Sequence, residues 1–103
     1  MSGRIANYQF KTTLTTVAGT ASVNIPALHK ESRQLIIIPA SSSTVYDIAL
    51  VDRNNIEVYH PTDCTGEWND AIRHLITIGN YTLIIRNATA DENFTVLFTM
   101  REV

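Results

Sequence analysis

His60-Pro-Thr-Asp63-Cys64, with His74 a short way on, gathers three kinds of side chain that can ligate a metal or act in nucleophilic catalysis. Structural zinc sites use paired Cys or His two to five residues apart, a spacing this stretch does not provide. His74 falls on the apolar side of an alternating segment, where a hydrogen-bonded core histidine is the ordinary outcome. Cys64 has no catalytic signature around it, and the three histidines lie on different elements. No Gly-x-Ser-x-Gly, His-Glu-x-x-His or phosphate-cradling loop occurs, and the chain has only 4 glycines from which to build one. Asp52-Arg-Asn54-Asn55-Ile-Glu57 brings oxygen donors together but lacks the glycine and alternating acids of a calcium loop. Asp and Asn bond their own backbone, so this stretch reads as a turn. The expectation is a protein without catalytic residues, metal or cofactor.

Two other groupings point to binding. Trp68, the single tryptophan, stands between Glu67 and Asn69-Asp70. Exposed, it would make a sugar-binding platform with Glu67 and Asp70; unexposed, it is a core residue, the commoner place for a lone Trp in a small β domain. Asp63, Glu67 and Asp70 around it read as solvated acids of a loop, not as the carboxylate pair of a glycosidase.

The second grouping is Arg73 with Arg86. Gly79-Asn80 separates two alternating segments and favours a tight type II′ turn. A two-residue loop would set Ile78 facing Tyr81, Ile76 facing Leu83 and His74 facing Ile85, with Arg73 opposite Arg86 on the other face. Like charges so placed cost from a few tenths to about 1 kcal/mol. An anion would relieve the pair: a carboxylate of this chain, one of a neighbour, or a bound ion. Splaying into solvent would relieve it too. Arg73 and Arg86 are the expected partner contacts, together with Arg4, Ile5 and Tyr8 in the leading strand.

The elements that must position these residues are strands, because the apolar period is two almost throughout. Phe94, Val96, Phe98 and Met100 share one face; so do Tyr81, Leu83 and Ile85; so do Tyr46, Ile48 and Leu50. Tyr8, Phe10 and Leu14 form a leading row, and Ala21, Val23 and Ile25 a short one. Leu35-Ile36-Ile37-Ile38 is apolar on both faces, as a central strand covered on both sides would be. Turn residues punctuate the runs every eight to twelve residues or so, the spacing of a sandwich or jelly roll. About eight strands are expected, near 4–17, 20–25, 33–38, 44–51, 56–60, 72–78, 81–87 and 94–102. Residues 27–33 could form one helical turn, and 60–71 is the longest connection. The fold class is all-β: one domain, an antiparallel two-sheet sandwich, jelly-roll-like.

The chain has 103 residues, enough for a two-layer core. Charged residues make up 17%, and thirteen Thr and six Ser take their place. Hydroxyls suit the outward face of a strand, whether that face meets water or a neighbour. A net charge of −2 argues against nucleic acid, which needs clustered Lys and Arg. No apolar run exceeds about six residues, so none is long enough to span a membrane as a helix. One cysteine excludes an internal disulfide and fits a reducing compartment. The leading residues lack the apolar stretch of a signal peptide, and a cytoplasm is the expected place of synthesis and assembly.

In style the chain resembles the small β-sandwich virion proteins of tailed phages: capsid decoration (cement) proteins, connectors and tail accessory subunits. The segments that carry the likeness are Phe10-Lys-Thr-Thr-Leu-Thr-Thr, Pro39-Ala-Ser-Ser-Ser-Thr, Gly79-Asn-Tyr-Thr-Leu and Asp91-Glu-Asn-Phe-Thr-Val. The resemblance implies a homo-oligomer on a virion, in contact with other virion proteins such as the major capsid protein, with no cofactor and no turnover. The long leading strand is placed to add to the edge of a neighbouring sheet.

Overall fold

The computed structural model describes residues 7–26, 30–72 and 80–102. These form nine strands: β1 (Asn7–Thr15), β2 (Ala21–Ile25), β3 (Lys30–Pro39), β4 (Val45–Val51), β5 (Glu57–Tyr59), β6 (Cys64–Thr65), β7 (Trp68–Asp70), β8 (Tyr81–Arg86) and β9 (Asn93–Glu102). Pairing is antiparallel throughout and mirrors the chain about its middle. β1 pairs with β9, β2 with β8, β3 with β7, and β4 with β5 and β6. A long hairpin folded back on itself in this way, its successive pairs falling alternately in two sheets, is a jelly roll. One sheet runs β1-β9-β3-β7 and the other β2-β8-β4-β5, with β6 beside β4.

The alternation of the sequence becomes the core. Phe94, Val96 and Phe98 of β9 and Leu35 and Ile37 of β3 have no exposed surface, and they face Ile48, Leu50, Leu83 and Ile85 of the second sheet, equally enclosed. Apolar burial of this kind drives two sheets together. Tyr46 lies edge-on to Phe94 with ring centroids 5.1 Å apart, and its hydroxyl donates to the Gly66 carbonyl at 2.6 Å. Gly66 has φ +66°, and a Cβ there would stand 3.1 Å from the Ser42 carbonyl oxygen. Only glycine meets both demands without strain.

Four features differ from the sequence expectation. First, the doubly covered strand is β4: Ile48, Ala49, Leu50 and Val51 are all buried, whereas Ile38 of β3 is 38% exposed. β3 is central within its sheet, but that sheet is covered on one face. Second, residues 30–33 belong to β3 and not to a helical turn. A bulge between Ser32 and Gln34 breaks the alternation there and hides the strand from a period-two reading. Third, the 60–71 connection contains β6 and β7. Each is only two or three residues long, and β7 takes its register from Leu35–Ile37 far earlier in the chain. Fourth, β8 has β2 on one edge and β4 on the other. A strand has two edges, so the facing pairs expected across Gly79-Asn80 are not those of β8. Opposite Arg86 stands Asp47, and opposite Ile85 stand Ala21 and Ile48. Residues 73–79, with Arg73 and His74, lie outside the described residues.

Candidate functional site

Register fixes which side chains each sheet turns outward. On β9, Thr95, Leu97 and Thr99 alternate with the buried residues and face out. Lys11 and Ile36 flank Leu97 from the two neighbouring strands, Thr13 and Ile38 flank Thr95, and Gln9 and Gln34 flank Thr99. Asn69 continues the row beyond Ile36, with its Oδ1 accepting from Gln34 Nε2 at 2.7 Å. This face has an aliphatic centre of Ile36, Ile38 and Leu97 within a rim of Thr, Gln and Asn, with Lys11 beside Leu97. Its charges lie to the sides: Lys11 on the edge strand, and Arg101 at one end, 3.8 Å from Glu31. β1, β9 and β3 are nine or ten residues long and about 4.8 Å apart, which makes a surface of about 10 by 30 Å, widened beside Ile36 by the three residues of β7. An apolar centre depleted of charge inside a polar rim is the anatomy of a protein–protein contact surface.

β1 forms one edge of this sheet, and among the described residues only β9 pairs with it. Tyr8 lies on β1 and is 37% exposed. Arg4 and Ile5 fall outside the described residues.

The opposite edge is fastened. Trp68 and Asp70 on β7 point inward, in register with Ile37 and Leu35, towards Tyr59 on β5 of the other sheet. Trp68 Nε1 donates to the Tyr59 hydroxyl at 2.9 Å, and that hydroxyl donates to Asp70 Oδ2 at 2.6 Å. Burial raises the Tyr59 pKa, and the bond to Asp70 raises it further, so the hydroxyl keeps its proton and serves as the donor. The structure thus brings Trp68 and Asp70 together through a tyrosine the sequence reading did not single out, while Glu67, just ahead of β7, is exposed. Only the inward faces of β5 and β7 could have signalled the arrangement, and three-residue strands carry too few alternations to show them.

Arg86 lies on the outer face of β8 and holds Glu57 through two bonds, 3.0 and 2.9 Å. The guanidinium beside Glu57 holds that carboxyl below its ordinary pKa. Asp47 accepts from Asn87 Nδ2 at 2.8 Å and from the Asp63 backbone N–H at 2.8 Å. The bond from Asn87 contributes most to lowering its pKa, with Asp63 and Arg86 adding. Cys64 faces Tyr46 inside the sandwich, and burial pushes its thiol up to about 11. His60 and Asp63 point to solvent instead. Among the described residues no three His, Cys, Asp or Glu side chains converge as metal ligands would.

One end of the sandwich is knitted by acids bonded to backbone. Asp91 accepts from the N–H groups of Ala18 and Gly19, and Glu92 Oε2 accepts from Ser41 N–H and the Thr44 hydroxyl. These carboxylates tie the β1–β2, β3–β4 and β8–β9 connections into one cap.

No protein-family model matches the chain, and no curated protein matches it. Solved structures do match, at low identity. PliG of Aeromonas hydrophila, a periplasmic inhibitor of g-type lysozyme, is 12% identical with a TM-score of 0.50, covering 97% of this chain and 90% of that one. The SPBc2 prophage-derived protein YomS is 18% identical at a TM-score of 0.47, with 92% and 96% covered. VP2 of the infectious bursal disease virus subviral particle is 17% identical at 0.43, with 97% of this chain but 33% of VP2 covered. The PliG likeness is one of fold.

Proposed function

We propose that the chain is a non-enzymatic structural subunit of a tailed-phage virion, a capsid decoration or head–tail accessory protein. It acts through contacts with copies of itself and with other virion proteins such as the major capsid protein, assembling in the host cytoplasm. The observation that carries the contact function is the outer face of the β1-β9-β3-β7 sheet. Ile36, Ile38 and Leu97 form its centre, and hydroxyls and amides replace the charges that keep a solvent-facing sheet apart from its neighbours. β1 as an edge strand adds a second mode of contact, by strand addition, with Arg4, Ile5 and Tyr8 at its leading side. Arg86 and Arg73 are the proposed polar contacts, Arg86 already oriented by Glu57. The virion assignment rests on the resemblance to phage structural proteins in sequence style.

A sugar platform at Trp68, Glu67 and Asp70 has less in its favour. The indole edge and the Asp70 carboxylate are bonded to Tyr59 inside the sheet–sheet seam.

Size-exclusion chromatography with light scattering tests the contact surface. The expected result is an oligomer that Ile36→Asp with Leu97→Asp reduces to a monomer of unchanged circular dichroism. A wild-type chain that is monomeric at every concentration would contradict self-contact through this face.

A further inference from the structure

The outer face of the second sheet carries a different feature. A depression of about 370 Å³ lies over β2, β8 and β4, beside the turn that follows β4. Its apolar lining comes from Val51 and Ile84, and its polar lining from three amides, Asn24, Asn55 and Asn80, with Thr82, Asp52 and Arg53. Two features make these polar groups preorganised. The Thr82 hydroxyl donates to Asn24 Oδ1 at 3.1 Å, which fixes the amide and leaves its NH₂ as a donor. Asp52 Oδ1 accepts from the N–H groups of Asn54 and Ile56 at 2.8 and 3.0 Å, so the turn is held and Oδ2 remains as an acceptor. Within that turn Asn55 has φ +64°, a conformation Asn tolerates better than most residues.

The composition selects a ligand class. Among the described residues one acid and one cation line the site and leave it close to neutral, which disfavours phosphates and carboxylates. Amides offer donors and acceptors together, as does a hydroxyl, and so they suit a ligand that presents both at close spacing. Val51 and Ile84 would meet its C–H surface. The volume lies at the lower end of the range for small-ligand sites, about 300–1,000 Å³. We infer that this depression binds a neutral saccharide, one or two sugar rings in size. Among the described residues no aromatic ring lines it, so the affinity is expected to be weak, as for sites that hold sugars by hydrogen bonds and aliphatic contact alone. The inference does not rest on the assembly reading, whose apolar contact surface lies on the other sheet.

Titration of the ¹⁵N-labelled chain with glucose, galactose, mannose and N-acetylglucosamine, read by amide chemical shifts, tests it. At least one of these sugars should shift the backbone amides of Asp52 to Asn55 and the side-chain NH₂ groups of Asn24 and Asn55 in a saturable way. Asn55→Gly with Asn24→Ala should weaken that binding about tenfold or more, the loss of two hydrogen bonds of ordinary strength. Glycine keeps the positive φ at residue 55, and an unchanged Trp68 indole signal reports that the fold persists. Trp68→Phe should leave the binding constant unchanged. Absence of saturable shifts with all four sugars would overturn the inference, as would shifts centred on the Trp68 indole.

Discussion

Trp68 and Asp70 stand two residues apart on β7 and share one tyrosine oxygen, the indole donating to it at 2.9 Å and the carboxylate accepting from it at 2.6 Å. Through Tyr59 the edge strand of one sheet is fastened to the edge strand of the other. At the opposite margin the end strands of the two sheets are β1 and β2.

Tyr59→Phe removes both bonds while preserving the ring. It leaves a partly buried indole N–H and carboxylate without partners, and the expected cost is about 1–3 kcal/mol in urea unfolding at neutral pH. Trp68→Phe in the Tyr59→Phe background should cost less than Trp68→Phe alone, because the bond it would break is already gone. Additive effects in that double-mutant cycle would show that the clasp contributes nothing as a unit.

Acid should weaken the fold through Asp47 and Glu57. Both have native pKa values below their ordinary ones of 3.8 and 4.5. A lowered native pKa contributes stability that is present above the unfolded value and is lost as pH falls through the native one. The contribution is therefore complete at neutral pH and disappears in the window that opens downwards from about 4.5. Asp47 is highly solvated, so its share is expected to stay under about 1 kcal/mol. Asp47→Asn should be less stable than wild type at neutral pH, and the gap should narrow as pH falls below 3.8. A gap that stays constant with pH would show that the carboxylate charge is not involved.

Cys64 should resist thiol reagents in the native state. It is 2% exposed and its pKa is pushed up to about 11 by burial first, then by Asp47 and Asp63. At mildly alkaline pH almost no thiolate forms, and thiolate is the reactive species. Modification by an aromatic disulfide reagent should track global unfolding in denaturant; prompt labelling of the folded chain would show that β6 opens locally.

Much of this architecture could be read from alternation alone. The rows Phe94 to Met100, Tyr81 to Ile85 and Tyr46 to Leu50 face inward as their spacing requires, because a period of two admits only two faces and one of them is apolar. Pairing was less accessible. The Gly79-Asn80 turn signal points to a local hairpin, but β8 is flanked by β2 and β4, strands from the first half of the chain, and long-range ladders of this kind leave no local mark. Leu35 to Ile38 looked doubly buried because four aliphatic residues in a row mask which face is outward; Ile36 and Ile38 instead make the centre of the proposed contact surface. The candidate residues fared by location. Arg86 finds Glu57, a carboxylate of this chain on β5, and Trp68 finds Tyr59, a partner on the opposite sheet. Neither meeting is encoded in spacing, since both depend on where β5 lies.

The measurement that bears most directly on the proposed assembly role is quantitative mass spectrometry of gradient-purified virus particles from cultures that carry the gene. Peptides of this protein should be recovered at a fixed ratio to the major capsid protein, and that ratio should collapse when Ile36→Asp and Leu97→Asp are introduced together. Particles that form and infect normally without a trace of the chain would contradict the account.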